Sequence, residues 1–158
     1  MHIEQKKIHT NLEGGYMENN INALNELNKG CSMGIQALKF IIPKTKEKNF
    51  RTLLKNQLLE YESLSNKINE LYQEYSTNEI EKTTLMEKAM TWYGIQMDTF
   101  LDSSVTKLAD LLIQGTNMGI IEGKKILNHK TLDKKVHKIC SEYISMQESY
   151  LKKLKEFL

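Results

Sequence analysis

Two stretches of this chain set their core-forming positions at alternating steps of four and three residues. Phe50, Leu54, Gln57, Tyr61, Leu64, Ile68 and Leu71 make the first. Val136, Cys140, Tyr143, Gln147, Tyr150, Leu154 and Phe157 repeat its spacing, and both stretches carry Glu-Ser at matching places, Glu62-Ser63 and Glu148-Ser149. A sustained period near 3.5 is the mark of a helical seam that packs against neighbouring helices with a left-handed supercoil. Two further segments are also paired. Gly30-Cys31-Ser32-Met33-Gly34-Ile35 returns 85 positions later as Gly115-Thr116-Asn117-Met118-Gly119-Ile120, each among apolar residues at helical spacing. A pattern that repeats at a fixed offset fixes architecture more firmly than local propensity does.

The pattern predicts four helices. The first spans about 20–42 and is ended by Pro43; the second spans about 46–75 with Thr45 as its cap. The third covers about 103–128, and the fourth about 132–157 with Thr131 before it. Short links make each pair an antiparallel hairpin. Residues 76–102 must carry the chain back along the bundle, and Asn78 with Glu81 three residues on resembles a capping box, so the crossover is expected to be partly helical. Two repeated hairpins joined by one long crossover give an all-α, ferritin-like antiparallel four-helix bundle over residues 18–158. Residues 1–17 lack periodicity and contain a Gly14-Gly15 break, as expected of a disordered tail. Glu13-Gly14-Gly15-Tyr16-Met17 can also be encoded by a purine-rich ribosome-binding run ahead of an ATG, which makes a translated leader with a natural start at Met17 the alternative.

A chain of 158 residues can bury about 70% of its unfolded surface in one core. Its net charge is only +2, and Arg51 is the sole arginine, so the guanidinium forks that grip phosphate are nearly absent and nucleic acid is not an expected partner. No apolar run reaches the ~20 residues that a bilayer span needs. The expected location is cytoplasmic. Cys31 and Cys140 form no Cys-x-x-Cys pair and read as buried free thiols.

Bundles of this topology often hold two metal ions through inward glutamates and two Glu-x-x-His motifs. No Glu-x-x-His occurs here: Lys6, Ile126 and Lys134 stand three residues before His9, His129 and His137. The mid-helix positions that should face the core are instead Cys31, Gln57, Tyr61, Thr116, Tyr143 and Gln147, a polar core layer in which Gln57 and Tyr61 of one copy answer to Tyr143 and Gln147 of the other. No catalytic residue, metal ligand or cofactor is expected. Of the carboxylates Glu60, Glu62, Glu122, Glu142 and Glu148, most should lie on solvated faces, with Glu122 the best remaining ligand candidate because of its apolar neighbourhood.

Met86, Met90, Trp92, Tyr93, Met97 and Phe100 concentrate adaptable apolar surface in the crossover, a candidate interaction face for a second copy or a protein partner, or simply a cover for the bundle. Lys124, Lys125, His129, Lys130, Lys134, Lys135, His137 and Lys138 surround Asp133 and read as a basic, solvated corner.

The segments Met90-Thr91-Trp92-Tyr93-Gly94-Ile95-Gln96-Met97 and Leu112-Ile113-Gln114-Gly115-Thr116-Asn117-Met118-Gly119-Ile120-Ile121-Glu122-Gly123 resemble an uncharacterised family of small ferritin-like bundle proteins from spore-forming anaerobic bacteria, distantly like spore-coat bundle proteins. The resemblance covers about residues 18–158. It implies a bundle fold and a spore or stress setting; some relatives bind iron through carboxylates and histidines, but no position here matches their Glu-x-x-His motifs. The function expected is therefore non-enzymatic association, by self-association or with a protein partner, in a cytoplasmic or spore-associated setting. The alternative is a metal- or small-ligand-binding bundle that uses atypical carboxylates or the Gln/Tyr layer.

Overall fold

The computed structural model describes residues 2–76, 91 and 104–158, and among these it contains helices and no strand. Helix α1 runs His2–Ile41, followed by a short 3-10 turn at Ile42–Lys44. Helix α2 runs Lys48–Tyr75, α3 Val105–His129 and α4 Lys134–Lys155. Pro43 lies in the 3-10 turn, where its missing N–H ends the helical ladder.

Three expected boundaries change. Helix α1 starts at His2 and not near 20, so the backbone of residues 2–16 is already helical. Thr45 does not cap α2. Its hydroxyl donates back to the Ile41 carbonyl at 3.1 Å, while the Glu47 carboxylate accepts from the backbone N–H groups of Asn49 and Phe50. A carboxylate at that point satisfies orphan donors and also meets the positive end of the helix dipole. Asp133, not Thr131, occupies the cap position of α4, although its side chain makes no capping bond. Ser104 caps α3 by accepting from Lys107 N–H.

The four helices pack against one another, most extensively α1 on α2 and α3 on α4, with α2 also lying along α4 and α1 along α3. Their directions follow from the contacts at the two ends. At one end the Phe50 and Phe157 rings meet with centroids 4.9 Å apart, and Thr106 donates to the Phe157 carbonyl. At the other, Asp133 accepts from Tyr75 and its N–H donates to Asn20. Helices α2 and α3 therefore both begin at the first end and run in the same direction. A hairpin cannot link such a pair.

The core is the predicted seam. Phe50, Leu54, Gln57, Tyr61, Leu64, Ile68 and Leu71 are all buried, as are Val136, Cys140, Tyr143, Gln147, Tyr150 and Leu154, with Phe157 packed at its edge. Leu24, Leu27, Leu38 and Ile41 of α1 and Leu108, Leu111 and Leu112 of α3 close it from the other side. Fully burying each such side chain contributes about 1.5–3 kcal/mol, so the seams carry the fold. No helix among the described residues is long and apolar enough to cross a membrane.

Candidate functional site

All six residues of the expected polar layer are buried: Cys31, Gln57, Tyr61, Thr116, Tyr143 and Gln147 are each at most 4% exposed. They do not form a single reciprocal layer. Tyr61 Oη donates to Gln147 Oε1 at 2.6 Å, between α2 and α4. The Gln147 amide in turn hydrogen-bonds Tyr143 one turn away on its own helix. One side chain thus joins two phenols, accepting through oxygen and donating through nitrogen. Tyr61 facing Gln147 and Tyr75 facing Asp133 set the α2–α4 register. That register places Gln57 a turn farther along, level with Leu151, and its Oε1 is buried with no hydrogen-bond partner. Thr116 turns inward on itself, its hydroxyl donating to the Leu112 carbonyl at 2.7 Å. The polar positions form a staggered ladder along the core.

Glycines make room for this ladder. A Cβ on Gly34 would lie 2.6–2.9 Å from three ring atoms of Tyr61. One on Gly119 would lie 2.6 Å from Gln147 Nε2 and 2.9 Å from the Tyr143 hydroxyl, and one on Gly30 would overlap that hydroxyl from the α1 side. Gly123 gives the same clearance to Ile144, at 2.7 Å. Gly30, Gly34 and Gly119 of the repeated segments thus face the large polar side chains Tyr143, Tyr61 and Gln147 on the opposing helices. Glycine costs about 1 kcal/mol in a helix relative to alanine, which the buried phenol–amide contacts offset.

The electrostatics of the core favour neutral groups. Burial pushes the Cys31 thiol up to about 12 and the Cys140 thiol up to about 11. Tyr143 is raised well above the usual phenol range, first by burial and then by the nearby Cys31, against the lowering effect of the Gln147 bond. Cys140 Sγ lies 3.6 Å from the Gly123 carbonyl, which it meets as a weak donor. Thiols held protonated in this way are poor nucleophiles and poor metal ligands.

The glutamates lie outside the ladder. Glu62 pairs with Lys39, Glu142 with Lys67, Glu148 with Lys124 and Glu122 with Lys125, at 2.9–3.5 Å on half-exposed surfaces. Glu60 hydrogen-bonds the Tyr150 hydroxyl. Among the described residues no three His, Cys, Asp or Glu side chains come together as a metal site would require. The interaction-face residues Met86, Met90, Trp92, Tyr93, Met97 and Phe100 lie outside the described residues, as do Asn78 and Glu81.

A second tyrosine cluster, absent from the sequence reading, stands at the end of the bundle. Asp133 Oδ2 accepts from Tyr75 at 2.6 Å and its carboxylate also takes the Tyr16 hydroxyl. Asn20, fully buried, accepts from Asp133 N–H through Oδ1 and donates to the Tyr16 carbonyl through Nδ2, both at 2.9 Å. These hydrogen bonds hold the Asp133 carboxyl below its usual range, Tyr16 contributing most and Tyr75 next. The signal in the sequence is Asp133 itself, a lone acid ahead of an amphipathic helix and surrounded by lysines. Residues of α1, α2 and α4 meet at this one carboxylate.

Comparison with known protein families, curated proteins and solved structures finds no match. Function must be argued from the geometry of this chain alone.

Proposed function

We propose that this protein is a non-catalytic, ferritin-like bundle that acts by association, with itself or with a protein partner, in a spore or stress setting. The ferritin-like reading is supported by the helix directions, two hairpins whose α2 and α3 run the same way. The observation that carries the proposal is the content of mid-bundle. Where inward carboxylates would converge in a metal-binding bundle, phenols and an amide pack against glycines, and the five candidate glutamates are engaged with lysines or a tyrosine at the surface. The ladder then serves register, because a buried hydrogen bond with one geometric solution penalises every slipped packing.

Light scattering and pull-down from the producing cell test the proposal. A defined oligomer or a retained partner is the expected result, and a strict monomer without one would remove its basis. A second reading rests on the unpartnered Gln57 Oε1, which could receive a donor from a small polar ligand. Elemental analysis of the purified protein and anaerobic ferrous titration address the metal form of this alternative: stoichiometric iron or manganese would displace the association reading.

A further inference from the structure

The association reading leaves open where a second copy would bind, and α3 supplies a surface for it. Most of the outward side chains of this helix are polar, but Met118 and Ile121 are 58% and 53% exposed. Among the described residues nothing packs over these two large apolar groups at the middle of the helix. They lie on one stripe with Lys107, Asp110, Gln114, Lys125 and Asn128, all of them exposed. At about 100° per residue these seven positions fall within an arc of about 80°.

The stripe is self-complementary. Between Asp110 and Lys125 it reads acid, amide, methionine, isoleucine, base, with Lys107 and Asn128 beyond them; read backwards from a second helix it presents base against acid, apolar against amide and, at the ends, lysine against asparagine. Pairing two copies antiparallel about a point between Asn117 and Met118 sets Asp110 opposite Lys125 of the second copy and Gln114 opposite its Ile121, while the two Met118 side chains flank the two-fold axis. That point lies half a residue from the centre of α3, Val105–His129, so the two helices overlap along nearly their whole length. Isologous contacts require this property, since each residue must find a partner on the same patch turned around. In the single chain Asp110 accepts from Gln114 at 3.3 Å, and Lys125 pairs with Glu122 at 2.9 Å. Both are exposed local contacts, which a partner's charge can share.

We propose that the outward stripe of α3 is a homodimer interface, in which Met118 and Ile121 form the apolar centre and the two Asp110–Lys125 pairs fix the antiparallel orientation. The proposal rests on the association reading and names its surface. Central apolar anchors set the affinity, and the flanking charge pairs exclude the parallel arrangement, which would put Asp110 against Asp110 and Lys125 against Lys125. A contact made by one helix from each copy is at the small end of specific interfaces, so the equilibrium is expected at micromolar concentration and not as an obligate dimer.

Sedimentation equilibrium of the full chain should show a monomer–dimer equilibrium. Met118→Lys should raise the dissociation constant by at least ~10-fold, with an unchanged circular dichroism melt because the site is exposed. Asp110→Lys and Lys125→Glu should each weaken the dimer, and the double exchange should restore it. Since Cys31 and Cys140 are fully buried, Met118→Cys adds a single accessible thiol to the described surface and should give a disulfide-linked dimer with diamide. Lys125→Cys should not, because its two copies lie roughly 20 Å apart along the axis. A dimer indifferent to Met118→Lys would overturn this interface while leaving the association reading intact. A strict monomer up to about 1 mM, with no retained partner, would overturn both.

Discussion

Tyrosines tie the helices together in two places, and the two differ in almost every physical respect. At mid-bundle, Tyr61, Gln147 and Tyr143 form a neutral chain with every member at most 3% exposed. At the end of the bundle, Tyr16 and Tyr75 converge on a charged carboxylate, Asp133, at the border with solvent. Charge-assisted hydrogen bonds are intrinsically the stronger kind, yet here they stand where water competes and screens. The buried neutral bonds have no such competitor, and losing one leaves a partner that water cannot reach. Burial, more than charge, should therefore rank the two clusters.

The largest effect is expected from Gln147→Leu. It removes the acceptor from Tyr61 and the donor from Tyr143 in one step, at a cost of about 2–4 kcal/mol, read by urea unfolding at neutral pH. A loss below about 0.5 kcal/mol would show that the ladder is incidental to stability.

Gln57→Leu sharpens the contrast by reversing the sign. The same residue type on the neighbouring helix keeps Oε1 buried and unpartnered, and exchange for a leucine of similar volume relieves that penalty. The expected change runs from neutral to about 1 kcal/mol of stabilisation, or up to ~4 °C in Tm. If Gln57→Leu proved as costly as Gln147→Leu, the idea that one amide is satisfied and the other stranded would fail. The second reading under the proposed function predicts a separate loss of ligand.

The sequence revealed the helices and the seam because an uninterrupted 4-3 spacing leaves a helix few alternative faces. Pro43 marked a real end for the same reason, since it cannot continue the ladder. Why one glutamine is paired and the other is not could not be read from Gln57 and Gln147, which occupy similar places in similar patterns. It depends on a register set by contacts 58 and 86 residues apart in the chain. The repeated glycines were visible, but not the rings they face, because the size of a missing side chain matters only once the opposing helix is placed. The cap expected at Thr45 lies two residues on: Thr45 bonds back into the preceding turn while Glu47 captures the N–H groups. The basic corner read as solvated hid Asp133, whose role comes from Tyr16 and Tyr75, residues that no local pattern connects with it.

The smallest effect is expected at the end of the bundle, and it alone depends on acid. Asp133→Asn keeps a side chain suited to the cap position, where Asp133 itself makes no capping bond, so the substitution isolates the charge offered to the tyrosines. Tm should fall by no more than about 3 °C at pH 7. Because the folded-state value of Asp133 lies below its unfolded one, its contribution is complete above the usual carboxylate range near pH 4 and is lost as pH falls through the lower folded value. Melts of the two proteins should thus differ by a constant amount from about pH 5 to 8 and draw together as the pH falls below the usual carboxylate range. Removing a negative charge from the start of α4 would produce a similar pH trend through the helix dipole alone, and Tyr75→Phe separates the two causes. In that background the Asp133→Asn difference should shrink if the phenols mediate it and stay the same if the dipole does. A gap that persisted undiminished below the usual carboxylate range, as far into acid as the fold survives, would show that the cluster holds the three helices by shape and not by its charge.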